Sequence, residues 1–237
     1  MYDINYRTIP LDANFRVNIA DYCQPDSDVI LANPNAPTGI ALSLDELEQI
    51  ISADLQRLVI IDEAYVDFGA DTAVALIDKY DNLLIVQTVS KSRSLAGLRV
   101  GFAIGNTALV EGLERTRDSI NSYTLDCLAQ TAAAASFRAG EWFEKTRQSI
   151  ITTRAQVSEQ LTSLGFMVLP SAANFVFVSH PDYNAADLSA ALRSAGILVR
   201  HFNIERIDQF LRISIGTAEE MNILIDSLTE ILDYNKV

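Results

Sequence analysis

In the stretch "QTVSKSRSLAGLRVGFAIG", residues 87–105, one lysine, Lys91, stands among hydroxyls and cations between two apolar runs. A lysine amine is a weak nucleophile at its free pKa, but near another cation and out of bulk water that pKa falls and the amine can condense with an aldehyde to a Schiff base. Arg99 supplies a cation nearby in the chain. Its planar fork, with the hydroxyls of Thr88 and Ser90, also suits a phosphate monoester. A lysine nucleophile beside a phosphate cradle points to a phosphorylated aldehyde. In "RLVIIDEAYV", Asp62 is an acid that can keep a pyridine nitrogen protonated, as an electron-sink ring requires, and Tyr65 can donate to a ring phenolate. Taken singly each group has a plainer role: Asp62 as a helix cap, Lys91 as a solvated loop cation, and "NPNAPTG" (residues 33–39) as a tight turn.

What must position these groups is legible in the rhythm of residues 28–105. Short β-branched runs ("DVILAN", "RLVIIDEAYV", "NLLIVQT", "LRVGFAIG") alternate with helical patterns ("SLDELEQIIS", "TAVALIDKY"), which predicts an α/β domain with mostly parallel strands. In such a sheet the loops leaving the carboxyl ends of the strands share one edge, and ligands bind there. Residues 33–39, 62–65 and 88–91 all fall at such ends. Their coincidence outweighs the three plainer readings, and the ligand they assemble is pyridoxal 5'-phosphate. Ser43 followed by Glu46 forms a capping box that starts a helix just after the 33–39 loop. From about Ser119 to Leu164 the pattern is long and helical, with Gly140 as a break, and reads as a connector between two lobes. Beyond it "FMVLP", "NFVFVSH", "AADLSAALRSAG", "ILVRHF", "FLRISIG" and a helix from Ala218 suit a small α+β lobe.

Composition narrows the classes. With 237 residues and 49% hydrophobic content the chain can build at least one full core. Its formal charge of −13, from 31 acidic and 18 basic residues, argues against general affinity for nucleic acid or anionic membrane. Two cysteines, Cys23 and Cys127, and two histidines, His180 and His201, have no metal-ligand spacing and make no disulfide framework, so no metal is expected and a reduced, cytoplasmic setting fits. The first residues, "MYDINYRTIP", carry no signal-peptide pattern, and no apolar run reaches the roughly 18 residues of a membrane span.

The motifs "NPNAPTG", "IIDEAYVDF", "TVSKSRSLAGLRVGF", "SAANFVFV", "GILVRHF" and "LRISIGT", in this order, resemble the fold-type I, class I/II aminotransferases, and within them those acting on histidinol phosphate. The resemblance implies a large pyridoxal-phosphate domain with a mostly parallel sheet over residues 1–138, partial here, and a small α+β domain over residues 139–237, entered by a long helix. It implies that Lys91 forms the Schiff base with the cofactor and shuttles protons, that Asp62 pairs with the pyridine nitrogen, that Tyr65 reaches the ring oxygen, and that Thr88, Ser90 and Arg99 hold the phosphate. It also implies that Arg212 grips the α-carboxylate of glutamate, that Arg200 helps hold the phosphate of histidinol phosphate, and that Asn174 positions substrate from the second lobe. The expected activity is amino transfer between histidinol phosphate and 2-oxoglutarate in histidine biosynthesis, by a homodimer. The alternatives are an aromatic-amino-acid aminotransferase or a phosphothreonine decarboxylase of the same fold, or a non-catalytic fragment.

The pattern departs from the family in three places. Relatives carry asparagine immediately before "PTG", where this chain has Ala36 with Asn35 one place earlier; either Asn35 substitutes or that ring contact is missing. An aromatic residue after the lysine is replaced by "SRS", so that Arg93 either adds a cation beside the cofactor or faces water. Relatives also have about a hundred more residues ahead of "YDINYRTIPLD", so the chain is expected to correspond to the carboxyl-terminal two thirds of such an enzyme, with little turnover alone and a tendency to self-associate.

Overall fold

The computed structural model describes residues 3–24 and 27–234. After a short helix, α1 (Ile19–Tyr22), strand β1 (Val29–Ala32) leads through α2 (Leu44–Ser52) to β2 (Val59–Asp62), β3 (Leu83–Thr88) and β4 (Gly101–Gly105). The sheet runs β1-β2-β3-β4, with β1, β2 and β3 parallel and β4 antiparallel to β3. Alternation decides which face is buried. Val29, Leu31, Val59, Ile61, Leu83 and Ile85 pack with Leu47, Ile50 and Ile51 of α2 in one core. Each such aliphatic side chain contributes about 1.5–3 kcal/mol on burial. The capping box is formed: the Glu46 backbone N–H donates to Ser43 Oγ at 3.3 Å, and the Ser43 N–H donates to the Glu46 carboxylate at 2.8 Å.

Where a helix is expected over "TAVALIDKY", the chain makes one 3₁₀ turn, Ala73–Leu76. The carboxylate of Glu63 accepts from Thr72 Oγ1 and from the Ala73 N–H, both at 2.6 Å. That pins the start of the segment to the end of β2 and leaves room for a single tight turn. The helical connector is three helices, α3 (Thr107–Ile120), α4 (Cys127–Arg138) and α5 (Gly140–Ser163). Helix α3 begins well ahead of the expected Ser119. None of its residues is buried. The break before α5 falls at Ala139, and Gly140 opens the new helix.

The second sheet runs β5 (Met167–Val168), β6 (Phe175–Ser179), β8 (Leu211–Ser214), β7 (Arg200–His201), antiparallel throughout. Its core joins Val157 and Leu161 of α5 to Leu188 and Leu192 of α6 (Ala185–Ser194) and to Leu224 and Leu228 of α7 (Ala218–Tyr234). The amino-terminal segment ties the lobes. Phe15, in the left-handed region at φ 59°, sets its ring edge-on to Phe210 at 5.2 Å in the second lobe, while Val17 and Ile19 pack against the first core. Arg206 donates to the carbonyls of Leu11 and Asp12 at 3.0 and 2.7 Å. Among the described residues no helix is long and apolar enough to cross a membrane.

Candidate active site

The strand register brings the three predicted clusters to one edge. Ala32 pairs with Asp62 and Asp62 with Val86; the Asn33 N–H donates to the Asp62 carbonyl and the Glu63 N–H to the Val86 carbonyl, each at 2.8 Å. The 33–39 loop is held by its own asparagines. Buried Asn33 accepts from the Leu42 N–H at 2.7 Å, and Asn35 Nδ2 donates to Thr38 Oγ1 at 2.8 Å. Asn35 therefore spends its amide nitrogen on the loop, and its amide oxygen accepts no hydrogen bond among the described residues. The loop ends on Gly39 at φ 81°, where a Cβ would lie 3.2 Å from the Cα of Ser171, and the Gly39 carbonyl accepts from the Ala172 N–H at 2.8 Å. A side chain there would meet both backbone strain and the second lobe.

At the neighbouring strand end Asp62 is exposed, and its carboxylate accepts the Ala64 N–H at 2.9 Å. Tyr65, half-buried, lies within reach of the lysine: Lys91 Nζ is 5.2 Å from the centre of the Tyr65 ring. The Lys91 amine is exposed and makes no ion pair among the described residues. Thr88 and Ser90 are joined through their hydroxyls at 2.9 Å, the Ser90 N–H donates to Thr88 Oγ1 at 3.1 Å, and the Val89 N–H to the Val100 carbonyl at 3.2 Å. That last bond brings Arg99 back beside the Thr88 loop. Arg99 is exposed and left-handed at φ 55°, with Nη1 donating to the Ala96 carbonyl of its own turn at 3.0 Å and no other hydrogen bond among the described residues.

The second lobe faces this edge through aromatic rings. Phe175 stands edge-on to Tyr65 at 5.1 Å between ring centres. The Arg212 guanidinium lies 5.2 Å from Phe175 and 5.7 Å from Phe202, and that of Arg200 lies 5.4 Å from Phe202. Contacts therefore run from Lys91 through Tyr65 and Phe175 to Arg212, then through Phe202 to Arg200. Arg200 and Arg212 are direct partners across β7 and β8, and neither forms a salt bridge among the described residues. Two like charges side by side, without a protein carboxylate, make a receptive place for an anion. Asn174 is anchored by its carbonyl, which accepts from the Ile215 N–H at 2.9 Å.

Two supporting groups were not visible as such in the sequence. Glu63 is buried directly after Asp62 and also accepts from Gln87 Nε2 at 2.8 Å, so it ties the ends of β2 and β3 together. Burial holds its carboxyl above the ordinary glutamate range, against the hydrogen bonds from Thr72, Ala73 and Gln87, which act the other way. Arg93 does neither thing expected of it. It lies between the rings of Phe137 and Phe143, at 4.0 and 4.2 Å, and donates to the Ser136 carbonyl at 2.7 Å. Burial between these rings pushes its pKa down. Its neighbour Ser92, also buried, donates to the Asp67 carboxylate. The residues flanking Lys91 on that side thus fix the loop to the helices, and a sequence holding only "SRS" gives no sign of which rings will meet the arginine.

A mostly parallel sheet with an amine, a carboxylate, a phenol and a hydroxyl loop on its carboxyl edge defines a ligand site of the α/β transferase kind. Residues 1–228 match the family described as aminotransferase class I and II, and the chain belongs to that family. It is 54% identical over 231 residues to histidinol-phosphate aminotransferase 1 of Pseudomonas fluorescens strain Pf0-1, a match that covers 98% of this chain and 66% of that protein. The chain thus spans just under two thirds of the length of the curated relatives it matches. Among solved structures, a decarboxylase from Sulfurospirillum multivorans has a TM-score of 0.83 at 27% identity, over 94% of this chain and 69% of that one. The histidinol-phosphate aminotransferase of Sinorhizobium meliloti, solved in complex with pyridoxal-5'-phosphate, has a TM-score of 0.83 at 23% identity, over 96% and 64%. That last likeness is one of fold.

Proposed function

We propose that the chain carries the lysine, ring-nitrogen and substrate-carboxylate groups of a pyridoxal-phosphate aminotransferase that moves an amino group between histidinol phosphate and 2-oxoglutarate. The observation that carries this reading is the run of contacts from Lys91 through Tyr65 and Phe175 to Arg212, which forms no salt bridge among the described residues. It sets an amine and a carboxylate receptor at the two ends of one aromatic line.

The donor set fits the cofactor. Among the described residues the Lys91 amine has no ion-pair partner, Asp62 offers an exposed carboxylate, and Arg99, Thr88 and Ser90 bring to one loop two hydroxyls and a guanidinium that bonds only its own turn. When bound, pyridoxal phosphate supplies an electron-accepting ring that stabilises negative charge at the substrate carbon. Lys91 would hold the aldehyde and, once the substrate amine displaces it, would take and return the proton at the carbon that bears that amine. Asp62 would keep a proton on the pyridine nitrogen, Tyr65 and the amide of Asn35 would contact the ring oxygen, and Thr88, Ser90 and Arg99 would hold the phosphate. Arg212 takes the α-carboxylate, Arg200 the phosphate of histidinol phosphate, and Asn174 orients the bound amino acid. The same reading includes a homodimer, a cytoplasmic site of action in histidine biosynthesis, and a division into domains at residues 138 and 139.

A single-turnover experiment tests it. The chain, loaded with pyridoxal phosphate, is offered histidinol phosphate, histidinol, phenylalanine or O-phosphothreonine, and the amino form of the cofactor and carbon dioxide are both measured. Amino transfer from histidinol phosphate, at least about tenfold ahead of histidinol, is expected from a charge-assisted phosphate contact. Because a solved neighbour is a decarboxylase, carbon dioxide from O-phosphothreonine would replace the reading with decarboxylation. Equal transfer from histidinol and its phosphate would remove the phosphate-gripping role.

A further inference from the structure

Helix α5 presents two arginines seven residues apart, hence on one face, to the 3₁₀ turn Val66–Phe68 that follows Tyr65. Arg147 Nη1 donates to the Asp67 carbonyl at 3.1 Å, and its other nitrogens pair with Glu144 at the surface. Arg154 differs. Its Nη1 donates both to the Phe68 carbonyl at 2.9 Å and to the Ala173 carbonyl at 2.5 Å, and it has no carboxylate partner among the described residues. Both carbonyls belong to buried residues. The turn passes close enough that a Cβ on Gly69 would sit 3.4 Å from Arg154 Nη2.

The two carbonyls belong to different lobes. Phe68 ends the turn that presents Tyr65; Ala173 precedes Asn174 and Phe175 at the start of β6. One nitrogen therefore holds together the two backbone segments whose side chains, Tyr65 and Phe175, meet in the middle of the line from Lys91 to Arg212. A half-buried cation without a counter-ion costs desolvation that an apolar residue would avoid, and burial indeed pushes its pKa down. What the guanidinium supplies in return is geometry, because two carbonyls converge on a planar donor of fixed shape.

We propose that Arg154 is a positioning residue that locks the Tyr65 turn to the Asn174 and Phe175 strand and so sets the distance and orientation between Lys91 and Arg212. The inference rests on the reading of Lys91 and Arg212 given above. In the absence of the clamp the aldehyde-binding lysine and the carboxylate-binding arginine stay in the chain but lose their fixed relation. Misplacement on the order of 1 Å can cost about a hundredfold in rate.

Hydrogen exchange and ligand binding on the full chain test this with Arg154→Met, Arg154→Lys and Arg147→Met. In Arg154→Met, amide protection should fall together at Phe68, Gly69 and Ala70 and at Ala173 and Ile215, with the rest of both lobes unchanged. Arg147→Met should loosen only the first group, and Arg154→Lys, which keeps a donor, should restore much of both. With pyridoxal phosphate as probe, its borohydride fixation at Lys91 should change by less than about threefold. The spectral response of the loaded chain to glutarate, a dicarboxylate for Arg212, should weaken at least about tenfold in Arg154→Met. Unchanged exchange at Ala173 and Ile215, exchange rising uniformly through both lobes, or unaltered glutarate binding in a loosened variant would overturn the proposal. If Arg154→Met does not fold, Arg154→Lys decides by the same segments, where protection equal to wild type with altered glutarate binding would contradict a clamp. If the wild-type chain fixes no pyridoxal phosphate at Lys91, the site reading falls, and the exchange data alone judge whether Arg154 joins the two segments.

Discussion

The two lobes hold their site groups by different means. In the first, the groups sit at or just beyond the strand ends, where side chains fix the loops: Asn33, Glu63 and Arg93 bond the backbone of Leu42, Ala73 and Ser136, and Ser92 bonds the Asp67 carboxylate. Lys91, on its loop, and Asp62, the last residue of β2, are left exposed. In the second, Arg200 and Arg212 lie within paired strands, and their guanidiniums rest on Phe175 and Phe202. Loop tips can adapt to a ligand, whereas strand residues move only with their sheet. The relation between the two sets is therefore fixed at the seam, where residues 171–175 meet Gly39, Tyr65 and Arg154.

Breaking the seam at its aromatic centre should have the largest effect. Phe175→Ala removes a ring 2% exposed and should destabilise the fold by about 3–5 kcal/mol. Chemical denaturation should register that loss, and a change under about 1 kcal/mol would mean that the ring is not a core element. Gly39→Ala should follow, at about 1–3 kcal/mol, since it combines a left-handed backbone with close approach to Ser171. Equal stability to wild type would show that the loop can leave the second lobe freely.

Smaller changes sharpen the contrast. Arg200→Ala should leave the stability of the fold within about 0.5 kcal/mol, as surface substitutions do, while weakening a phosphorylated amine by about tenfold or more. Equal loss for phosphorylated and plain amines would take the phosphate away from this residue. The smallest effect is one of pH. The folded-state pKa of Glu63 is raised, chiefly by burial, so its contribution to stability is present below the unfolded glutamate pKa and is lost as pH rises through the folded value. Thermal unfolding of wild type against Glu63→Gln should show the difference shifting in favour of the variant as pH rises from about 4 toward neutrality. A shift in favour of the wild type would show that the hydrogen bonds, and not burial, govern this carboxyl, and a pH-independent difference would show that the two cancel.

Much of the first lobe was legible because its signals are local. Short β-branched runs such as "VILA", "VIID" and "LLIV" mark the strands, and Ser43 with Glu46 specifies a helix start. Convergence of three polar clusters followed from parallel topology, which the register realises. The start of helix α3 lies outside the span expected to be helical, and the 3₁₀ turn after Thr72 is shaped by a carboxylate ten residues away, which no local pattern reports. Arg93 and Arg154 were illegible for a related reason. Their partners are 43 residues and 19 to 86 residues distant, and no periodicity reports such a pairing.

The account rests on Lys91 as the aldehyde-binding amine. Pyridoxal phosphate added to the purified chain, reduced with borohydride and mapped by mass spectrometry, examines that group directly, with Lys91→Ala as the partner sample. The expected result is a phosphopyridoxyl label on the peptide containing Lys91, reversed by washing when borohydride is left out, and lost from Lys91→Ala while that variant keeps its far-ultraviolet spectrum, because an exposed loop lysine serves the site and not the core. Label of equal yield in Lys91→Ala, or confined to another lysine in the wild type, would contradict it.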